Sequence, residues 1–225
     1  MKKRALDMGY SDVAACLLNF KPSLKLVLAT NNQHKISEIR AILKKKKVLI
    51  SILTLNDFPA RPQVIENKKT IEGNAIKKAE EIARYTNCLA LADDTGLFIH
   101  ALKGKPGVYS ARFAGPRCNY LDNCKKVLNL MNRTPTLKRT SVFKTVAALA
   151  TPNGHLYLAK GEVKGRIATE LRGKNGFGYD PIFYPAKSKK TYAEMSTATK
   201  NKVSHRAKAF SKVPHLLKKI LKKYN

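Results

Sequence analysis

An apolar run broken only by Lys25, Leu24 to Ala29 (LKLVLA), leads into the polar turn Thr30-Asn31-Asn32-Gln33-His34. Ile36, Ile39, Ala41, Ile42 and Leu43 then recur at helical spacing. This is a buried strand, a turn and an amphipathic helix, and the turn leaves backbone N–H groups where an anion can sit. Val48 to Leu53 (VLISIL) reads as a second strand, and Asn56 to Lys69, with Pro59 and Pro62, as a loop. Thr70 to Tyr85 reads as a second helix, with Ile71, Ala75, Ala79, Ile82 and Ala83 on one face and Thr70 as its cap. Leu89 to Ala92 is a short buried strand that ends at Asp93-Asp94-Thr95-Gly96, and Leu97 to Leu102 a further strand before the turn Lys103–Gly107. Asn119 to Met131 makes a third helix. Val142–Ala150 and His155–Val163 form a hairpin around Thr151-Pro152-Asn153-Gly154. From Thr199 on, apolar and basic residues alternate in a helical manner with a break near Pro214.

The order predicts an α/β protein: a long twisted mixed β-sheet flanked by helices, with two lobes and a central cleft. The first 23 residues show no such logic and are set apart as an extension, leaving 24–225 as a single domain. At 225 residues the chain buries a sizeable core without staples. No run approaches a membrane span. Lys plus Arg number 44 against 15 Asp plus Glu, a formal charge of +29. That excess argues for phosphate-bearing ligands or nucleic acid, although a lysine-biased surface accounts for it as well. Cys16, Cys88, Cys118 and Cys124 show no zinc spacing and suit reduced thiols, even if Cys118 and Cys124 lie near each other. The basic start Met1-Lys2-Lys3-Arg4 is followed by too short an apolar core for export, so a cytoplasmic location is expected.

With acids so scarce, the adjacent pair Asp93-Asp94 stands out. Ligands bind at strand carboxyl ends in α/β sheets, and neighbouring strand residues face opposite sides. One carboxylate can hold Mg²⁺ and orient water while the other braces the loop; a turn using Asp only for local hydrogen bonds is the other reading. Thr30 through Lys35 offer a hydroxyl, amides and an ammonium to phosphate, without the GxxxxGK[ST] pattern. Gly176-Phe177-Gly178-Tyr179-Asp180-Pro181 can lay an aromatic against a nucleobase, or form a kinked strand with core aromatics. Lys200, His205 and Arg206 can share a ligand only if a bend interrupts their helix.

In order and content these segments resemble the Ham1-type inosine triphosphate pyrophosphatases, from about Lys25 to Lys219. The strings that carry the resemblance are LATNNQHKISEI, TIEGNAIKKA, LADDTGLFIHALKGKPGVYSARFAG, NGFGYDPIF and KNKVSHRAKA. The resemblance implies hydrolysis of ITP, dITP and XTP to the monophosphate and pyrophosphate, with Mg²⁺ as cofactor. It implies that Thr30, Asn31, Asn32, Gln33, His34 and Lys35 cradle the triphosphate, with Lys78 facing it from the second helix. Glu66 and Asp94 would hold the metal, Asp94 also serving as base for the attacking water, and Thr95 stands where serine is usual. Phe177, Gly178, Tyr179 and Asp180 would contact base and ribose, while Lys200, His205 and Arg206 complete the pocket and read a 6-keto purine. Asn31 replaces a frequent glycine, where a positive φ would be less comfortable. A homodimer is implied, with Pro106 to Gly115 and the following helix as its contact. The rival readings are a Maf-type nucleotide pyrophosphatase, whose opening resembles Ser-Pro-Arg-Arg instead, and a basic nucleic-acid-binding protein, which has no use for the paired acids. No membrane and no nucleic acid is required.

Overall fold

The computed structural model describes residues 25–46, 50–59 and 63–224. The expected extension, Cys16, the start of the second predicted strand at 48–49 and Pro62 lie outside them. Among the described residues a seven-stranded sheet forms the frame: β1 (Lys25–Leu28), β2 (Ser51–Thr54), β3 (Leu89–Ile99), β4 (Pro106–Gly107), β5 (Thr140–Ala150), β6 (Leu156–Ile167) and β7 (Phe183–Pro185). The strand order is β2-β1-β3-β5-β6-β7, with β4 paired to β3. β1 runs parallel to both β2 and β3, and the remaining pairings are antiparallel. The helices are α1 (Gln33–Lys45), α2 (Ile71–Thr86), α3 (Tyr120–Leu130), α4 (Thr197–Val203), α5 (His205–Phe210) and α6 (Val213–Tyr224).

Strand alternation explains the layers. Leu26, Leu28, Leu89 and Leu91 face the side covered by α1, α5 and α6, where they meet Ile39, Leu43, Phe210 and Leu217. Val27, Ala90 and Ala92 face the opposite side and pack on Ala75, Ala79 and Ile82 of α2. Each fully buried Leu or Ile contributes about 1.5–3 kcal/mol to these layers. The long strands β3, β5 and β6 then leave this body and enter a second cluster. Leu97, Phe143, Val163, Phe183 and Tyr192 gather there with Val127 of α3. One sheet thus carries two lobes, as expected.

Two expectations change. Asp93 and Asp94 do not terminate a strand, because β3 continues from Leu89 to Ile99 with β5 bonded along it from Ala90 to Ile99. The strand that ends is β1, whose last pairing with β3 is Leu28↔Leu91, while β4 joins β3 only at Leu97. Between those points one edge of β3 lacks a strand neighbour among the described residues, and the acids sit on that edge. The C-terminal helical stretch breaks before Val213, near Pro214 as expected, but also at a second point, Ser204; Pro214 itself sits in the first turn of α6, where proline is tolerated.

α5 lies directly on β6 because residue 161 is glycine. A Cβ there would fall 2.2 Å from the His205 carbonyl oxygen and 2.4 Å from the Ala209 nitrogen, both backbone atoms. Gly161→Ala is therefore expected to lower stability by about 1–3 kcal/mol. Urea unfolding followed by circular dichroism checks it; an unchanged midpoint would contradict the close approach.

Candidate active site

The edge of β3 between β1 and β4 floors a cavity of about 450 Å³. β1 delivers the chain into Thr30, Asn31 and Asn32, which line it, and α1 begins immediately afterwards. Asn32 caps α1: its Oδ1 accepts from the amides of His34 (3.0 Å) and Lys35 (3.3 Å), and Thr30 Oγ1 accepts from the Asn32 amide. Among the described residues the amides of Asn31 and Gln33 find no acceptor. The loop thus presents donors at a positive helix end, as anion binding requires. The backbone of Asn31 does not enter the left-handed region, so asparagine meets no positive-φ strain there.

Alternation along β3 sends the paired acids in different directions. Asp93 points to the α1 and α5 side and is fully enclosed, its Oδ2 contacting Lys35 Nζ at 3.1 Å and Arg206 Nη2 at 3.4 Å. Burial opposes its charge, but Lys35 and Arg206 hold its carboxyl well below the usual carboxylate range. Asp94 points to the α2 side and into the cavity, accepting from Asn74 Nδ2 (3.1 Å) and the Thr95 amide (2.8 Å). Among the described residues no cation lies within salt-bridge distance of Asp94. Burial lifts its carboxyl above the ordinary value; Lys78 draws it down and Glu66 pushes it back up. Lys78 bridges the two ends of this wall, donating to Glu66 Oε1 (2.5 Å) and the Asp93 carbonyl (2.7 Å). Burial disfavours its charge, yet Asp94, Glu66 and Asp93 keep the ammonium above the ordinary lysine value.

The far end of the cavity is built from the last helices. Ser204 interrupts them with an extended conformation and caps α5, and this bend turns Lys200, His205 and Arg206 onto one cavity. Lys200 Nζ contacts Asp180 Oδ2 (2.6 Å) and Glu38 Oε1 (2.7 Å), while Arg206 Nη1 contacts Glu38 Oε2 (2.5 Å). Burial works against the Glu38 charge, but Arg206 and Lys200 bring its carboxyl below the usual range. His205 lies flat on Phe143, with ring centroids 4.2 Å apart. Burial and then Arg206 and Lys200 drive its pKa well below the ordinary value, so the ring is neutral. His205 Nδ1 and Arg206 Nε, both buried, have no hydrogen-bond partner among the described residues. Phe177 overhangs this end, its ring 4.7 Å from Lys200 Nζ and 5.3 Å from the Arg206 guanidinium carbon.

Most of the residues expected from the sequence meet here. Thr30, Asn31, Asn32, Lys35, Glu66, Lys78, Asp94 and Thr95 line the cavity, as do Phe177 through Asp180 with Lys200, His205 and Arg206. Gln33 and His34 do not: both are exposed on the outer side of the α1 start, because only every third or fourth helical position shares the face of Lys35. His34 instead stacks on Phe177 from outside, at 5.1 Å. Tyr179 is nearly buried and donates to the Ser110 carbonyl (2.8 Å), and Asp180 accepts from the Phe177 amide (2.8 Å) and holds Lys200. Both build the pocket more than they face its contents. Three contributors went unread in the sequence: Glu38, Asn74 and Tyr120. Glu38 was findable, since it stands three residues after Lys35 on the buried face of α1, where an acid needs a partner. Tyr120, which accepts from Asn32 Nδ2 at 2.8 Å, carries no local signal.

Fold and site together define an α/β protein whose cleft offers cations and helix-start amides to a polyphosphate, with a carboxylate left free of cations beside them. The chain belongs to the Ham1 family, whose sequence profile matches residues 26–215. It is 48% identical over 197 residues to a dITP/XTP pyrophosphatase of Elusimicrobium minutum, covering 87% of this chain and 100% of that one. It is 45% identical over 197 residues to the dITP/XTP pyrophosphatase of Desulforamulus reducens, covering 88% and 97%. A HAM1 protein from Coxiella burnetii superposes with a TM-score of 0.79 at 37% identity, covering 87% of this chain and 99% of that chain.

The Asp93 contacts set a pH dependence. A carboxyl held below its unfolded pKa contributes stability that is complete above the ordinary Asp range, near pH 4, and is withdrawn as pH falls through the folded value. Asp93→Asn is expected to cost about 3–5 kcal/mol at pH 7, because Lys35 and Arg206 lose a buried counter-charge. The gap from wild type should narrow below about pH 4. Calorimetric melting across pH checks this, and a gap constant with pH would contradict the ionised state of Asp93.

Proposed function

We propose that this Ham1-family protein hydrolyses the non-standard purine nucleoside triphosphates ITP, dITP and XTP to the nucleoside monophosphate and pyrophosphate, with Mg²⁺ as cofactor, and so cleanses the nucleotide pool. The observation that carries the reading is Asp94: a buried carboxylate, free of cation contact among the described residues, in the wall of a cavity whose other end holds Phe177, His205 and Arg206. Its relatives' names, dITP/XTP pyrophosphatase, support the same chemistry.

Glu66 and Asp94 suit the metal. Both are hard oxygen donors on one wall, near enough for the charge of Glu66 to raise Asp94. Among the described residues no group of three acids, histidines or cysteines gathers to hold an ion. Two carboxylates with phosphate and water completing the set is the habit of Mg²⁺. When bound, the ion would offset charge on the phosphates and on the transition state. The chain's own contribution is positional and electrostatic. Thr30, Asn32, Lys35 and Lys78 grip the polyphosphate. Asp94, its carboxyl lifted by burial above the ordinary value, is suited to align water and take its proton. Phe177 stacks on the base. His205 and Arg206 line that end of the cavity and are placed to donate to a 6-oxo group, a match that a 6-amino group does not make. A mismatch of that kind costs about 1–3 kcal/mol per group, and the extra 2-amine of guanine is a further obstacle for GTP.

The protein works as a homodimer on the cytoplasmic nucleotide pool. Exposed Tyr109 within the segment Pro106–Gly115 and exposed Leu121 on the helix that follows support a contact there. Among the described residues no helix is long and apolar enough to cross a membrane.

Pyrophosphate release from ITP, XTP and ATP tests the activity. Turnover of ITP and XTP should exceed that of ATP by roughly 5–150-fold, the range a 1–3 kcal/mol penalty gives, and chelation of divalent metal should abolish it. Asp94→Asn should lower kcat by about 10²–10⁴-fold, without lowering the melting temperature of the metal-free protein, since the lost charge was disfavoured by burial. Comparable turnover of ATP and ITP, or an active Asp94→Asn, would reject the reading.

A further inference from the structure

The segment that carries Glu66, residues 63–70, forms no helix or strand, yet Glu66 must keep a fixed relation to Asp94 on a different element. Lys78 and Arg112 hold Glu66 itself, and the side chain that ties its loop directly to the Asp94 carboxylate is Asn74. Fully buried in the first turns of α2, it accepts from the Lys68 amide through Oδ1 at 2.9 Å and donates to Asp94 Oδ2 through Nδ2 at 3.1 Å. We propose that Asn74 is a positioning residue that sets the separation and orientation of the Glu66 and Asp94 carboxylates, and through them divalent-cation affinity and turnover. This rests on the reading of that pair as the metal-holding acids.

The residue type follows from the two bonds. An amide hydrogen needs an acceptor and a carboxylate needs a donor, and both must come from one short side chain. Asparagine supplies both. Aspartate would bring two acceptors and repel Asp94, leucine supplies neither, and a hydroxyl is too short to span both partners. Asparagine is also a poor choice for a helix interior on propensity alone, so its place here is set by these partners. The neighbouring glycine fits the same purpose: a Cβ on Gly73 would lie 2.9 Å from Lys68 Cβ, so the loop rests against α2 at this point. From the other side Lys77 Nζ holds the loop by the Ile65 carbonyl (2.9 Å) and Asn67 Oδ1 (3.1 Å). Asp94 keeps one further bond, from the Thr95 amide to Oδ1. Without Nδ2 its carboxylate can turn about the Cβ–Cγ bond, and without Oδ1 the loop loses its anchor at Lys68.

The test compares the full-length wild type with Asn74→Leu and with Asn74→Gln, which keeps a buried amide but overshoots by one methylene. Mn²⁺ uptake is followed by electron paramagnetic resonance, with and without the α,β-methylene analogue of ITP, beside steady-state kinetics and thermal melting. Loss of outer partners of metal ligands typically costs 10–100-fold. Both variants should lose about that factor in Mn²⁺ affinity and in kcat. KM for ITP should stay near the wild-type value, because Lys35, Lys200 and Arg206 are held by Asp93, Glu38 and Asp180. Either variant that melts like wild type with Mn²⁺ affinity and kcat unchanged overturns the proposal. So does a parallel rise in KM and fall in melting temperature with metal affinity intact, which is the mark of a merely structural residue. A wild type that takes up no Mn²⁺ in either state overturns it as well. Mn²⁺ uptake without pyrophosphate release from ITP would instead reject the proposed function, and the affinities would still decide the role of Asn74.

Discussion

Asp93 never reaches the cavity, yet the cavity is arranged around its charge. One enclosed carboxylate holds a lysine from α1 and an arginine from α5, elements separated by most of the chain. Glu38 closes the circuit by taking Arg206 and Lys200, and Asp180 takes Lys200 again. Buried charges are costly unless paired, so these contacts enforce one arrangement of α1, β3, α4 and α5 and exclude alternatives. The cations that grip a polyanion are therefore in place before it arrives. That preorganisation is what makes electrostatics effective in a water-poor cleft.

The same pairing isolates Asp94. Its neighbours on the chain and in space use up the nearby positive charge, leaving it with an amide and a backbone N–H. Two adjacent carboxylates on one strand thus acquire opposite characters, one pinned ionised and the other raised. The cause is strand alternation: one side faces cationic helices, the other faces α2 with its buried asparagine. A surface charge of +29 matters less than this local division, since within the site the acids answer the cations nearly one for one. The excess of lysine lies elsewhere on the molecule.

Much of this was legible along the chain. The strand–turn–helix around Thr30, the capped helix at Thr70, the hairpin at Asn153-Gly154 and the paired acids each carry a local signature, because caps, turns and periodicity act over a few residues. What was misread has the opposite character. The sequence suggested that Asp93 and Asp94 end a strand, but a strand's length is decided by its partner, and β5 supplies bonds well beyond the acids. Gln33 and His34 looked equivalent to their neighbours until the first turn of α1 rotated them outward. Asn74 read as an ordinary helix residue, since its two partners, at Lys68 and Asp94, are joined only when loop, helix and strand have assembled.

The sequence by itself determined the alternation of strands and helices, the family strings and the identity of the candidate chemical groups, all of which rest on residue type and short spacing. Only the tertiary structure decided which strand ends at the cleft, which carboxylate stays ionised, and which of the cations are already paired. Those properties depend on burial and on distances between residues far apart in the chain, and neither is a property of any single stretch of sequence.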